Sequence, residues 1–159
     1  MRALFIILTT ISSLCSLASS DFVYVTVYNN CSVSIYLSTG GPSASRTVVI
    51  QAGNEYIETV HSSTLGGIDM KIATTPASVL YGDPQLFLSY TIVGGNYHYS
   101  LHDAYGDPFE GRPVTLIPVY RSGPCQIIQW PHGLPPGGPT PVRACGIQTS
   151  QRLTLCGTS

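Results

Sequence analysis

Turn residues interrupt this chain at short, near-regular intervals, and that punctuation limits what it can fold into. Asn29-Asn30, Thr39-Gly40-Gly41-Pro42, Ala52-Gly53-Asn54, Gly66-Gly67, Gly82-Asp83-Pro84, Gly94-Gly95-Asn96, Gly106-Asp107-Pro108 and Ser122-Gly123-Pro124 all favour turn geometry. Between them lie short runs of β-branched and aromatic residues, which suit strands. Strands are predicted at Phe22–Tyr28, Val33–Leu37, Arg46–Gln51, Tyr56–Val60, Ile68–Ala73, Leu86–Ile92, Tyr97–Leu101, Val114–Tyr120, Gln126–Gln129 and Leu153–Cys156. Beyond the N-terminal segment, no eleven-residue window keeps a 3.6-residue period free of Gly and Pro, so very little helix is expected. About ten short strands at this spacing predict an all-β fold, an antiparallel sandwich or barrel.

The N-terminal segment differs in kind. Arg2 precedes an apolar stretch that begins at Ala3 and runs to about Leu17, followed by the small residues Ala18-Ser19-Ser20. That order of charge, apolar run and small residues is a secretory signal, and residues 1–20 are expected to be removed. Residues 21–159 are then one domain. Loss of Arg2 leaves six basic residues against eight acidic ones. So few and scattered charges argue against a nucleic-acid binder, a coiled coil or a charged disordered tail. Loss of Cys15 leaves Cys31, Cys125, Cys145 and Cys156, an even number that in an exported chain implies two disulfides. No second apolar segment follows, so a soluble extracellular product without membrane insertion is expected.

Two stretches stand apart from the strand pattern. Trp130 to Pro141 holds five Pro and three Gly in twelve residues, and Cys125 and Cys145 bracket it, which reads as a stapled loop. Tyr-Gly-Asp-Pro occurs twice, at 81–84 and 105–108, with divergent flanks. Two convergent turns explain that recurrence.

Candidate chemistry is sparse. Asp103, Asp107 and Glu110 fall within eight residues, a concentration of acid in a chain that has little. Two carboxyls facing each other would be needed for glycoside hydrolysis, and spacing alone establishes no such pair. His98 and His102 are four apart, but on a strand that separation is roughly 13 Å, too far for one metal ion. No Gly-x-Ser-x-Gly elbow and no phosphate-cradling glycine loop occurs. Tyr24 and Tyr28 share one strand face, and Tyr97 and Tyr99 share another; both pairs are expected in the core. Asn30-Cys31-Ser32 matches a glycosylation sequon, but a paired Cys31 argues against its use.

Several of these segments together resemble a known family. Val27-Tyr28-Asn29-Asn30-Cys31-Ser32-Val33-Ser34-Ile35-Tyr36 and Tyr99-Ser100-Leu101-His102-Asp103-Ala104-Tyr105-Gly106-Asp107-Pro108-Phe109 resemble segments of thaumatin-like domains. Gly66 to Ile72, Pro84 to Thr91, Gly106 to Gly111, Trp130 to Gly138 and Leu153 to Cys156 are similar, in order, to the fungal Blastomyces yeast-phase-specific (Bys) domain proteins, small antigenic thaumatin-like proteins. The resemblance implies a thaumatin-like β-sandwich with Cys31 paired to Cys156 and Cys125 to Cys145. It also implies a secreted, non-enzymatic protein of the cell wall or host interface. The implied partner is a β-glucan-type polysaccharide held through Asp103, Asp107 and Glu110, or else a host surface component. The other readings are a host-directed effector or adhesin, and a weak endo-β-1,3-glucanase. A monomer with no cofactor and no bound metal is expected.

Overall fold

In the first strand Val25 and Val27 turn inward, while Tyr24, Thr26 and Tyr28 turn outward. The computed structural model describes residues 22–39, 46–64, 66–120 and 125–157. The expected leader at 1–20 and the turns at 40–42 and 122–124 lie outside these residues. The elements are β1 (Tyr24–Asn29), β2 (Ile35–Thr39), β3 (Thr47–Ile50), β4 (Glu55–Thr59), β5 (Ile68–Ala73), α1 (Pro76–Tyr81), β6 (Gln85–Val93), β7 (Asn96–Ala104), β8 (Val114–Tyr120), β9 (Ile128–Trp130), β10 (Arg143–Gly146) and β11 (Ser150–Leu155).

These strands form two sheets, β4-β1-β11-β8-β9 and β10-β7-β6-β5-β2-β3. The thaumatin-like sandwich expected from the sequence is therefore present, with eleven strands among the described residues. One ladder departs from the antiparallel expectation. β1 and β11 run parallel, with Val25 opposite Gln151 and Asn29 opposite Leu155. Strands from the two ends of the chain cannot be joined by a hairpin, so their direction is free of that constraint.

The core lies between the sheets. Val25, Val27, Leu153, Leu155, Val114 and Leu116 face Leu37, Met70, Ile72, Leu86, Leu88 and Leu101, all fully buried. Tyr97 and Tyr99 belong to this core as expected. Tyr24 and Tyr28 do not. Their strand alternates, and its two valines take the inner face, so both tyrosines lie outside the core. The Tyr28 ring is instead covered by the Arg152 guanidinium at 4.6 Å.

Two elements were not predicted. The helix α1 is six residues long, shorter than the window that would reveal a helical period, yet its ends are signalled. Thr75 caps it by accepting from the Ser78 amide at 3.1 Å, proline follows the cap, and Gly82 closes it in the left-handed conformation. The edge strand β10 has only four residues and no β-branched one, so it carries no local signal.

Both implied disulfides are present, Cys31–Cys156 and Cys125–Cys145. The first ties the crossover between β1 and β2 to the end of β11. The second ties the approach to β9 to β10 and so staples one sheet to the other, closing the Pro/Gly-rich loop.

Candidate functional site

Strand alternation decides where the acidic segment points. Tyr97, Tyr99 and Leu101 of β7 are buried, so Asp103 continues their inward face and pairs opposite Leu86. One residue after Ala104 the chain leaves the sheet. Tyr105 and Gly106 take φ of 61° and 118° and reverse its direction. The Asp107 carbonyl then accepts from the Glu110 amide at 3.3 Å, and the Phe109 carbonyl accepts from the Arg112 amide at 2.8 Å.

The Trp130 turn locks this loop from behind. Phe109 is buried, and the Gly111 amide donates to the His132 carbonyl at 2.7 Å. Gly133 sits at φ 71°, where a Cβ would lie 1.8 Å from the Phe109 carbonyl oxygen. Only glycine fits there. The buried Trp130 ring donates through Nε1 to Thr140 Oγ1 at 3.1 Å. The Trp-Pro-His-Gly and Gly-Asp-Pro-Phe segments are thus two halves of one packed unit.

The three acidic residues are not equivalent. Both Asp103 carboxyl oxygens are shielded from solvent, and neither has a hydrogen-bond partner at normal geometry. Burial pushes the Asp103 carboxyl up to about 8, and the approaching Asp107 carboxyl adds to this, both as an acceptor for the protonated form and as a like charge. Asp103 is therefore uncharged at neutral pH. Asp107 and Glu110 are exposed. The structure brings Asp103 and Asp107 together and leaves Glu110 at the far end of the same turn.

Close by lies the other Tyr-Gly-Asp-Pro turn. It leads into β6 just before the pair formed by Gln85 and Ala104, and the second copy follows that pair directly. The Tyr105 ring rests against Gly82, 3.6 Å from where a Cβ would stand, and Gly106 is similarly close to Pro84. Tyr81 and Tyr105 are 80% and 71% exposed.

A further carboxylate escaped the sequence reading. Glu58 on β4 points inward beside Tyr56. It accepts from the Tyr56 hydroxyl at 2.9 Å and from the Tyr90 hydroxyl of the opposite sheet at 3.0 Å. His61 Nδ1 stands 3.8 Å from the same carboxylate. Burial, followed by the charge of Glu58, raises the Tyr90 hydroxyl well above its usual range. The shared parity of Tyr56 and Glu58 carried the signal, but outward-facing Ile57 masked it. The two histidines considered for a metal serve the outer face: His102 stacks on Phe87 at 4.9 Å, and His98 lies two rows away, opposite Thr91. Among the described residues, no three of His, Cys, Asp or Glu gather round a common point.

The model of the Blastomyces yeast-phase-specific protein family matches residues 14–157. The chain belongs to this family. Two solved structures share the fold. The protein elicitor MoHrip2 from Magnaporthe oryzae superposes with a TM-score of 0.68 at 23% identity, over 85% of this chain and 99% of that one. The thaumatin-like xylanase inhibitor TLXI superposes with a TM-score of 0.52 at 10% identity, over 84% and 99%. No curated protein sequence matches the chain.

Proposed function

We propose that this family member is a secreted, non-enzymatic protein that binds β-glucan-type polysaccharide at the cell wall or host interface, with Asp107 and Glu110 receiving sugar hydroxyls. The carrying observation is the display of the 105–110 loop. Its backbone is locked by Phe109 and the Trp130 turn, while Tyr105, Asp107 and Glu110 face solvent. Preorganised polar groups beside an aromatic ring suit a ligand with an apolar ring face and peripheral hydroxyls. Asp103 has a supporting part. Uncharged below about pH 8, it lets Asp107 stay close without repulsion. Its shielded oxygens also favour binding over hydrolysis, because glycoside cleavage needs two carboxyls open to the scissile bond. The two disulfides and the extended family match support export.

Retention on insoluble β-1,3-glucan and on chitin tests this reading. Wild type is expected to be retained, and Asp107→Ala to be retained less. Absence of wild-type retention would overturn it, as would reducing-sugar release that one acid substitution abolishes.

A second reading, a host-directed protein-binding module, rests on a different face. Tyr24, Ile57, Val119 and Arg152 line a groove of about 370 Å³ on the outer side of the five-stranded sheet. The fold shared with an elicitor and an enzyme inhibitor is compatible with it. Binding to host cells that survives Asp107→Ala and is lost with Ile57→Asp would favour this reading over the first.

A further inference from the structure

The repeated Tyr-Gly-Asp-Pro turns do more than reverse the chain. They leave the same end of the β6–β7 ladder, immediately outside the pair Gln85 and Ala104. Each glycine is the place where the other copy approaches. Gly82, at φ 77°, carries the Tyr105 ring, and a Cβ on Gly106, at φ 118°, would stand 3.0 Å from Pro84. The two copies interlock into one surface, although 24 positions separate them in sequence.

That surface is unusual in two respects. It holds the two most exposed tyrosines of the described residues, Tyr81 and Tyr105. It also holds Tyr105 at φ 61°, a left-handed conformation that a large side chain rarely adopts and that persists only where the surroundings enforce it. Neither ring is used by the core, so the fold gains little from placing them in water. Both copies add an exposed aspartate, Asp83 and Asp107, and neither contains a cation. Arg112, the nearest basic residue in sequence to Asp107, lines a separate cavity beside the Cys31–Cys156 disulfide.

We infer that the paired turns form a stacking platform for a neutral pyranose chain, Tyr81 and Tyr105 each lying under a sugar ring, with Asp83 and Asp107 accepting hydroxyl protons. This rests on the polysaccharide reading above and names its aromatic half. The rings provide apolar faces matched to the C–H faces of pyranoses. Two rings favour a chain over a single sugar. The carboxylates repel an acidic polysaccharide, so a neutral one is selected.

The test is retention on insoluble β-1,3-glucan, chitin and, as an anionic probe, pectate. Tyr81→Ala and Tyr105→Gly each remove a ring, and glycine suits the backbone at position 105. Each is expected to bind the neutral polymer about tenfold more weakly, as expected for the loss of one aromatic stack. Tyr81→Phe keeps the ring and is expected to bind as wild type does. Unchanged melting temperatures for all three variants confirm that folding is not the cause. If wild type is retained, Asp107→Ala is not, and both ring-deleted variants bind normally, the platform is wrong while the polysaccharide reading stands. If wild type is retained on neither neutral polymer, both fail. Pectate retention equal to that on glucan overturns the neutral-chain assignment.

Discussion

Two carboxylates point into the sandwich, and their surroundings could hardly differ more. Glu58 is met by two tyrosine hydroxyls, one from its own strand and one from the facing sheet. Asp103 is met by no donor, and its neighbour is another carboxyl. Glu58 stands among rigid strands, whereas the group beside Asp103 rides on a loop held by the Trp130 turn. A buried acid with its partners in place ties two sheets together. One without them stays protonated and marks a place where the fold has not been optimised for its own stability.

The largest expected effect comes from breaking the support of the Asp103 side. Gly133→Ala places a methyl against the Phe109 carbonyl at a left-handed position, at a cost of about 3 kcal/mol or more. Denaturant titration reads that loss. If the loop moves away, the Asp103 carboxyl should titrate nearer its usual range, which NMR of the carboxyl carbon would follow. Next is Glu58→Ala, which removes the carboxylate that accepts from two tyrosine hydroxyls and is expected to cost about 2–3 kcal/mol at neutral pH. An unchanged denaturation midpoint would make the two carboxylates equivalent and dissolve the contrast.

A pH-dependent effect belongs to Asp103→Asn, and its size grows as pH rises. The unfolded carboxyl titrates near 3.8 and the folded one near 8. As pH rises between these values the unfolded chain loses its proton first, so stability falls through that window and levels off above it. The asparagine variant lacks this slope. Melting curves at pH 4, 6 and 9 are expected to show near-equal stability at pH 4 and a more stable variant at pH 9. Equal slopes for both proteins would show that Asp103 is not the group responsible. Smallest is Tyr56→Phe, which removes one of the two bonds to Glu58 at about 1 kcal/mol. Pairing it with Tyr90→Phe in a double-mutant cycle measures whether the carboxylate couples the sheets.

Much of this contrast can be traced to what a sequence does and does not encode locally. The period-two runs at Ile68–Ala73 and Val114–Tyr120 match their strands end to end, because alternation is a local property. Inward orientation of Asp103 also follows from counting along β7. What no run of residues reveals is who sits across the gap. Tyr90 reaches Glu58 from 32 residues away, and Gly133 meets Phe109 only once the loop is closed. The recurrence of Tyr-Gly-Asp-Pro was visible in the chain, but its meaning was not, because two turns become one surface only when their strands pair. Tyr24 and Tyr28 carry the opposite lesson: aromatic residues follow the parity of their strand, and here the valines hold the inner positions.

The placement of β11 also governs when the protein can be made at all. Among the described residues it is the last strand in sequence and the middle strand of its sheet, with β1 on one side and β8 on the other. Until residues 150–155 leave the ribosome, the first strand has no neighbour on that side, and half the sandwich has no centre. The five-stranded sheet is thus completed only once residue 155 has emerged, a slow search for partners 126 residues apart, which Cys31 and Cys156 then seal. Loss of residues 150–155 would remove not a frayed edge but the axis of that sheet.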